Sequence, residues 1–589
     1  MGKKNKNKNK NKVEKFYNEI TIGRHEAQQI PEQLTLPLSS PGIHLGCSDS
    51  DDAYIGIPQG SEGNLLIVGS NGSGKTVGIA KPTLWSWTGT ACVLDIKGEL
   101  TQEYQRLWAQ GIVARPYIKF DPSSADTPCF DPFLYLELDS EDNLMSNVDD
   151  LTRALIPDNP DAPEPFWCQA EQSVLSAAML YGFKCGMSFS ETMTLITSTP
   201  TSELCKLLRM SNDTRILMKL GEIDANPKML ASVDRGLRNH LAVFAADPCI
   251  AHAFRGRREG ADTLNWEDLE SYTVFLCVPA DKLDVWGPCI NMMIAQLIRY
   301  LERRPEKYGE TGRSFPPILM LFDEFARLGR LPMLGNAMAT LRSKNVFFAL
   351  IVQSLAQLDK TYGEYERRII VDNCLYIGIL RANDADTQRY LTELIGSRLR
   401  KQLSLSEQMD MDLNTTGYSR LTGAVREELI QPCELSSLTD ILLLTPYGFC
   451  RVDKLSPDHD LFDQLWAARW KVGLCVQKRY NEAAIAKRKR NDGSRRLTVE
   501  ERRRNVLART LAFEERLRQE REQRRREQMI DMLIEAITTT PLDPISTDAD
   551  RLRRYTAVLA DLADDQAVVK QLTERARHRT TQPDFSTAP

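Results

Sequence analysis

The segment Gly69–Thr76 carries the residue types of a phosphate-binding loop. Gly69 is followed, after four residues, by Gly74, Lys75 and Thr76, and the loop comes directly after the apolar run Leu65–Val68. This completes the pattern G-x-x-x-x-G-K-[ST] in its expected strand context. Glycines let successive backbone N–H groups turn toward one phosphate, and the helix that follows adds its positive end. The sequence therefore predicts that a nucleotide is bound by Gly69, Ser70, Asn71, Gly72, Ser73, Gly74, Lys75 and Thr76.

Two side chains of this loop have predicted chemical roles. The Lys75 ammonium can reach the β- and γ-phosphates and take part in catalysis, and the Thr76 hydroxyl can ligate Mg²⁺. ATP and Mg²⁺ are therefore the predicted cofactors. A glycine-rich turn without function is the competing interpretation. It is disfavoured because every fixed position of the pattern is filled and a partner motif follows downstream.

That partner motif is the apolar run Pro317–Phe322, which ends in the two carboxylates Asp323 and Glu324. Open parallel sheets bind ligands at the carboxyl ends of their strands. Asp323 is therefore predicted to hold Mg²⁺, directly or through water, and Glu324 to polarise the attacking water. A third run, Val346–Val352, ends in Gln353, whose amide can bind and sense the γ-phosphate. Without the phosphate loop, the first run would equally suit a strand that ends in a solvated acidic loop. Without both other motifs, a polar strand end with no role would be the favoured interpretation of Gln353.

Alternating strand-like and helix-like patterns predict an α/β fold. The continuous apolar run Ala91–Leu94, followed by a loop and a helix, is typical of a central strand in a parallel sheet. From about residue 135 to 265, helical periodicity replaces the strand-like runs, which indicates an all-α insertion. The predicted organisation is a disordered basic tail and linker (1–50), a nucleotide-binding domain in two parts (51–134 and 266–480), the all-α insertion (135–265) and a charged helical extension (481–589).

Composition favours a cytosolic protein of several domains. The chain has 589 residues, and no stretch approaches about 18 uninterrupted apolar residues, so no transmembrane segment is expected. The 13 cysteines show no metal-ligand spacing and are typical of reduced thiols. The net charge is −5, but the charge is unevenly distributed, and six lysines lie within Lys3–Lys12. This run indicates either a solubilising tail or a contact with anionic lipid or nucleic acid.

Longer segments resemble the type IV secretion coupling proteins, which are relatives of the hexameric chromosome-segregation DNA translocases. The pair LFDEFARLG and QSLAQL is far more specific to this family than the phosphate loop alone. The matching segments keep the family's order between about 55 and 455, and they are Gly69–Thr76, Ser86–Glu99, Phe120–Phe133, Phe166-Trp167, Leu321–Arg330, Leu350–Lys360 with Tyr362-Gly363, and Asp384–Gln388 before Ile395-Gly396.

The resemblance implies a RecA-like P-loop ATPase domain, interrupted by an all-α domain and assembled as a homo-hexameric ring. It implies that the ring recruits single-stranded DNA with its relaxase and accessory proteins, and delivers or pumps it into a conjugation channel. The implied partners are thus that DNA, the relaxase and the type IV secretion channel or an inner-membrane protein. A subunit-bridging arginine is expected by the same resemblance, and the candidates are Arg368, Arg381 and Arg389.

Members of this family usually begin with two transmembrane helices, and this sequence shows none. The expectation is a cytoplasmic protein peripheral to the inner membrane, docked through a separate membrane protein or through Lys3–Lys12. A rival hypothesis is an ATP-switched platform that recruits protein effectors or a relaxosome without processive pumping. The pairing of Glu324 with Asp323 favours hydrolysis, and the nature of the cargo, DNA or protein, stays open.

Overall fold

The structure is a computed structural model that describes most of the chain between residues 20 and 455, together with Gln523. Within that range the description excludes residues 25, 27, 28, 51, 110–112, 114, 138–140, 158–164, 222–226, 256–261, 308–314, 332 and 410–414. The chain divides into two compact units, residues 1–498 and 499–589. The lysine run and the predicted helical extension lie outside the described residues, except for Gln523.

Strands occur along the whole described range. In chain order they are β1 (Ile20–Gly23), β2 (Thr35–Pro37), β3 (Gly42–Cys47), β4 (Ala53–Pro58), β5 (Leu65–Gly69), β6 (Thr90–Asp95), β7 (Tyr117–Phe120), β8 (Thr273–Cys277), β9 (Ile318–Asp323), β10 (Val346–Val352), β11 (Tyr376–Arg381), β12 (Gly396–Met409), β13 (Thr415–Glu428), β14 (Ile441–Thr445) and β15 (Gly448–Val452).

Helices fill most of the intervening chain. The α-helices are α1 (Lys81–Ser86), α2 (Glu99–Ala109), α3 (Phe133–Glu137), α4 (Glu141–Leu155), α5 (Pro165–Lys184), α6 (Phe189–Ser198), α7 (Thr201–Met210), α8 (Thr214–Leu220), α9 (Pro227–Ala246), α10 (Pro248–Ala253), α11 (Leu283–Glu302), α12 (Leu334–Thr340), α13 (Leu355–Asp372) and α14 (Ala385–Ile395). A π-helical turn covers Thr76–Ala80, and short 3₁₀ helices cover Glu32–Leu34, Trp266–Glu270, Phe325–Leu328, Leu341–Lys344 and Pro432–Ser436.

Nine of the described strands form the central sheet, in the order β15-β14-β11-β5-β10-β9-β6-β8-β7. The strands from β11 to β7 are parallel to one another, whereas β14 and β15 are antiparallel additions at one edge. The strand that carries the phosphate loop, β5, lies between β11 and β10, and β9 is the next strand beyond β10. The carboxyl ends of β5, β10 and β9 therefore meet at the same edge of the sheet, as the sequence predicts.

Both faces of this sheet are covered, which explains why its central strands read as continuous apolar runs. Alternate residues of β5 point to opposite faces: Leu66 and Val68 belong to one hydrophobic core, and Leu65 and Ile67 to the other. All four are fully buried. Each buried aliphatic side chain of this kind contributes roughly 1.5–3 kcal/mol by leaving water. The sheet is therefore a rigid base for the loops at its carboxyl edge.

Between β7 and β8 the chain passes through α3 to α10, and the predicted helical insertion corresponds to this stretch. Aromatic rings contribute to its packing onto the sheet. The ring of Phe254 contacts Phe120 at the end of β7, with 5.8 Å between ring centroids, and Phe189 contacts both Phe133 and Phe244 at 5.6 and 5.1 Å. These rings belong to the same core as one face of the sheet. The helices and the sheet thus share a continuous hydrophobic interior.

Residues 20–50 differ from the predicted tail and linker, because they contribute the strands β1, β2 and β3. Strands β2 and β3 flank β4 in a small antiparallel sheet, and β1 pairs with β12 in another. Leu34, Ile43 and Leu45 are buried at 1% exposure or less, packed with β4 against the second face of the central sheet. The prediction was wrong here because it overlooked a strand pattern, in which Leu34, Leu36 and Leu38, and then Ile43 and Leu45, alternate with other residues.

Candidate active site at the carboxyl edge of the sheet

The phosphate loop turns sharply between β5 and the π-helical turn. Gly72 and Gly74 have φ angles of +72° and +95°, a region that side chains with a Cβ oppose. A Cβ on Gly69 would lie 2.5 Å from the Ser73 hydroxyl oxygen. The backbone N–H of Ser70 donates to the carbonyl oxygen of Arg381 at 2.9 Å, which ties the loop to β11. The loop is thus fixed at both ends, and Asn71 at its tip is exposed.

Lys75 lies folded back into the loop. Its Nζ donates to the carbonyl oxygens of Gly69 and Ser70, the latter at 3.1 Å, and the residue is 7% exposed. Burial lowers the pKa of Lys75, and the carboxylates of Asp323 and Glu324 oppose that effect. A phosphate bound in this loop would replace the two backbone carbonyls with a full negative charge, which is a better partner for an ammonium group.

Thr76 and Asp323 approach each other from β5 and β9. The Thr76 hydroxyl donates to Oδ2 of Asp323 at 3.4 Å. Asp323 Oδ1 is buried and accepts no hydrogen bond from the described residues. Burial, together with the charge of Glu324, raises the pKa of Asp323 to about 6. A hydroxyl and a carboxylate oxygen with spare lone pairs are the ligands that Mg²⁺ prefers, so these two residues fit the predicted metal role.

Glu324 follows β9 directly and is held by three side chains, from the turn after β6, the residue after β10 and the 3₁₀ helix Phe325–Leu328. Its Oε1 accepts from Nε2 of Gln353 at 3.0 Å and lies 3.3 Å from Nζ of Lys97, while its Oε2 accepts from Arg327 at 3.2 Å. The backbone of Glu324 adopts the left-handed conformation, with φ +53°. Such a conformation is uncommon for a residue with a side chain and is concentrated at functional sites.

These contacts keep Glu324 ionised although it is only 4% exposed. Burial alone would raise the pKa of Glu324, but the hydrogen bonds from Gln353, Arg327 and Lys97 and the charge of Lys97 outweigh that effect and leave it below its ordinary value. An ionised carboxylate at the carboxyl edge of the sheet, beside the phosphate loop, can act as a general base toward a water molecule.

The predicted site residues come together as one group. The charges of Asp323 and Glu324 act on Lys75, Thr76 bonds Asp323, and Gln353 bonds Glu324. The sequence patterns predict no role for Lys97 or Arg327, although both residues lie in segments that resemble the family. The signal was available for Lys97, which comes two residues after the end of β6, a predicted strand. It could not be used without knowing that β6 lies beside β9.

The three candidate bridging arginines lie in different settings. Arg368 and Arg389 form ion pairs with Glu364 and Asp386 on their own helices. Arg381 ends β11, and its backbone carbonyl holds the phosphate loop. Arg381 therefore lies beside the loop of its own chain, and the bridging role of all three stays a prediction.

Within the described ranges, no helix combines the length and apolar character needed to cross a membrane.

The family model described as "Type IV secretory system Conjugative DNA transfer" matches residues 48–445, more than half of the 589 residues. The chain belongs to this family. The resemblance inferred from the sequence is thereby confirmed.

Curated relatives agree with this assignment. The chain is 24% identical over 424 residues to the conjugal transfer protein TraG of Escherichia coli, covering 68% of this chain and 65% of that protein. It is 25% identical over 360 residues to the protein VirD4 of Rhizobium radiobacter, covering 59% and 50%. The chain thus spans between half and two thirds of the length of these relatives.

Solved structures show the same fold. The unbound conjugative coupling protein TrwBdeltaN70 superposes with a TM-score of 0.55 at 14% identity, covering 75% of this chain and 95% of that one. The plasmid coupling protein TrwB in complex with ADP and Mg²⁺ superposes with a TM-score of 0.54 at 15% identity, covering 76% and 98%. TrwB has also been solved with the ATP analogue ADPNP. The expected RecA-like P-loop fold is therefore present in this chain.

Proposed function

We propose that this chain is an ATP-hydrolysing coupling protein that recruits relaxase-bound single-stranded DNA and delivers or pumps it into a type IV secretion channel. One observation carries the enzymatic part of the proposal. Glu324 is buried, ionised and aimed by three donors at the edge of the sheet where the phosphate loop and Asp323 lie. A site built only to bind nucleotide has no need of such a carboxylate.

In this proposal ATP lies with its phosphates in the loop Gly69–Thr76. Lys75 turns from its own backbone carbonyls to the β- and γ-phosphates. Thr76 and Asp323 hold Mg²⁺, which neutralises charge on the phosphates when bound. Glu324 accepts a proton from the attacking water, and Gln353 hydrogen-bonds the γ-phosphate. The complex of the relative TrwB with ADP and Mg²⁺ supports these cofactors.

The DNA-delivery part of the proposal is supported by family membership and by the names of the relatives, which are conjugal transfer and coupling proteins. The proposed partners are single-stranded DNA with relaxase and accessory proteins, and the channel or an inner-membrane protein. The proposed assembly is a homo-hexamer in the cytoplasm, peripheral to the inner membrane. Contacts with DNA would be mainly to its backbone and therefore of little sequence preference.

A second candidate is an ATP-switched recruitment platform. The observation in its favour is that the donors around Glu324 lower its pKa, which makes the carboxylate a weaker base and suits slow hydrolysis. The two candidates differ in their response to DNA. A DNA-pumping motor is expected to hydrolyse ATP faster when DNA is bound. A platform for protein effectors is expected to hydrolyse ATP at the same rate with and without DNA.

The test is phosphate release by the purified protein with single-stranded DNA of mixed sequence, with duplex DNA as the matched control. The proposal expects single-stranded DNA to raise turnover several-fold and duplex DNA to raise it less. ATP turnover that neither DNA changes would overturn DNA pumping and favour the platform. Absence of turnover under all conditions, with relaxase included, would overturn both.

A further inference from the structure

Lys97 lies in the turn that follows β6, and this turn is fixed. Asp95, at the end of β6, is 2% exposed and accepts from both the backbone N–H and the hydroxyl of Thr101, each at 2.7 Å. Gly98 completes the turn with a φ angle of +74°. The backbone of Lys97 is therefore held in place, while its side chain is 47% exposed and retains freedom to move.

The ammonium of Lys97 lies against one carboxylate oxygen of the proposed general base. It is 3.3 Å from Oε1 of Glu324, the same oxygen that accepts from Gln353. Lys97 follows β6 and Gln353 follows β10, and these are the two strands that flank β9. Oε1 is therefore held from both sides, which leaves little room for it to accept a proton from water.

Lys97 also lies close enough to the phosphate lysine for their charges to interact. Besides burial, the positive charge of Lys97 lowers the pKa of Lys75. Two ammonium groups that face one small region can both contact a further anion that enters it. A γ-phosphate is such an anion, and it carries more charge than the single carboxylate that Lys97 now contacts.

We propose that Lys97 is a positioning residue that holds Glu324 in the nucleotide-free site and transfers its ammonium to the γ-phosphate when ATP binds. The transfer frees Oε1 of Glu324 to meet the attacking water. A nucleoside diphosphate lacks the γ-phosphate and leaves the contact between Lys97 and Glu324 in place. Lys97 thus lets this site distinguish a triphosphate from a diphosphate. The inference rests on the ATP site of the proposed function and adds its regulation.

The test compares the affinities of ADP and of a non-hydrolysable ATP analogue, each with Mg²⁺, in the wild type and two variants. Lys97→Met keeps the length of the side chain and removes its charge. It is expected to leave the ADP dissociation constant within about twofold and to weaken binding of the ATP analogue about fivefold. Lys97→Arg retains the charge and is expected to restore most of the preference.

Lys119→Met is the matched control. Lys119 lies at the same edge of the sheet, near the end of β7, and pairs with Asp121 at 2.7 Å instead of Glu324. Its loss is expected to leave both affinities unchanged. Melting curves of the three variants establish that they fold.

The outcomes separate this inference from the proposed function. A wild type that binds neither nucleotide would overturn the ATP site, and the role of Lys97 with it. A wild type that binds both, with the same ratio of affinities in Lys97→Met, would overturn the role of Lys97 alone. Equal weakening of ADP and of the analogue would do so too, because it would mark a merely structural residue.

Discussion

The side-chain amide of Gln353 donates to Oε1 of Glu324 at 3.0 Å, and the two residues follow adjacent parallel strands. The predicted sensor of the γ-phosphate and the predicted base are therefore already connected without nucleotide. A shift of Gln353 toward a phosphate must change the hydrogen bonding of Glu324. One contact thus links the state of the nucleotide to the state of the base.

Gln353→Met tests this link, because methionine keeps the volume of glutamine and removes the amide. We expect ADP to bind within about twofold of the wild type. We expect ATP turnover to be lower by roughly 10- to 100-fold, because the variant loses the hydrogen bond to the γ-phosphate and one charge-assisted hydrogen bond is worth about 1.5–3 kcal/mol. Steady-state phosphate release measures the effect. Gln388→Met is the control, since Gln388 bonds the carbonyl of Ala382 outside this group. Unchanged turnover in Gln353→Met would remove Gln353 from the site.

Lys75→Ala is expected to weaken nucleotide binding by at least about 100-fold. The reason is that the phosphates lose the ammonium of Lys75, the buried cation of the loop Gly69–Thr76. Binding of a fluorescent ADP analogue measures this effect. Lys81→Ala is the control: Lys81 follows on α1 and pairs with Glu99 at 3.7 Å. Equal affinity in Lys75→Ala and the wild type would contradict the phosphate-loop assignment.

The stability of the metal-free protein should report the burial of Asp323. Burial, with the charge of Glu324 adding to it, raises the pKa of Asp323 from 3.8 to about 6. An acid with a higher pKa in the folded state costs stability where it is ionised in both states. The cost is therefore absent at low pH, grows as the pH rises from about 4 to 6, and is complete above pH 6.

Asp323→Asn removes that cost. In EDTA and without nucleotide, the variant is expected to gain about 3 kcal/mol in the free energy of unfolding at pH 8, given a shift of about two pKa units at about 1.4 kcal/mol per unit. The gain should shrink between pH 6 and pH 5. Denaturant unfolding of the variant and the wild type at pH 8, pH 6 and pH 5 measures the gain. A variant that is less stable than the wild type at pH 8 would show that Asp323 is not strained by its burial.

The helical insertion offers a test of its packing at Gly182 in α5. A Cβ there would lie 2.2 Å from the hydroxyl oxygen and 2.8 Å from the methyl carbon of Thr192 in α6, and Thr192 is fully buried. Gly182→Ala should therefore lower the free energy of unfolding by about 1–3 kcal/mol. Gly78→Ala is the control, because nothing lies within 4 Å of its added carbon. Equal stability of the two variants would contradict the close approach of α5 and α6.

The sequence alone selected the candidate site residues, which the structure brings together, because phosphate chemistry restricts their types and spacing. The loop Gly69–Thr76 and the strand ends at Asp323 and Gln353 each follow a continuous apolar run, and such runs are readable without a structure. The hydrogen bond between Glu324 and Gln353 required only that β9 and β10 be neighbours.

Other features could not be predicted, since they depend on contacts that are distant in sequence. Lys97 meets Glu324 only because β6 lies on the other side of β9. The hairpin of β12 and β13 has strands of 14 residues each, yet its sequence is polar, with no apolar run to mark it. The left-handed backbone of Glu324 gives no signal in sequence, because the residue that adopts it is not glycine or asparagine.

We propose that this site hydrolyses ATP with Glu324 as the base. The most direct test measures ATP binding and phosphate release on the same samples of the wild type and Glu324→Gln, which keeps the shape of the side chain and removes its charge. We expect the variant to bind ATP with Mg²⁺ within about threefold of the wild type and to release phosphate roughly 100- to 10,000-fold more slowly, the range for a lost general base. If Glu324→Gln turned ATP over at the rate of the wild type, Glu324 would not be the base.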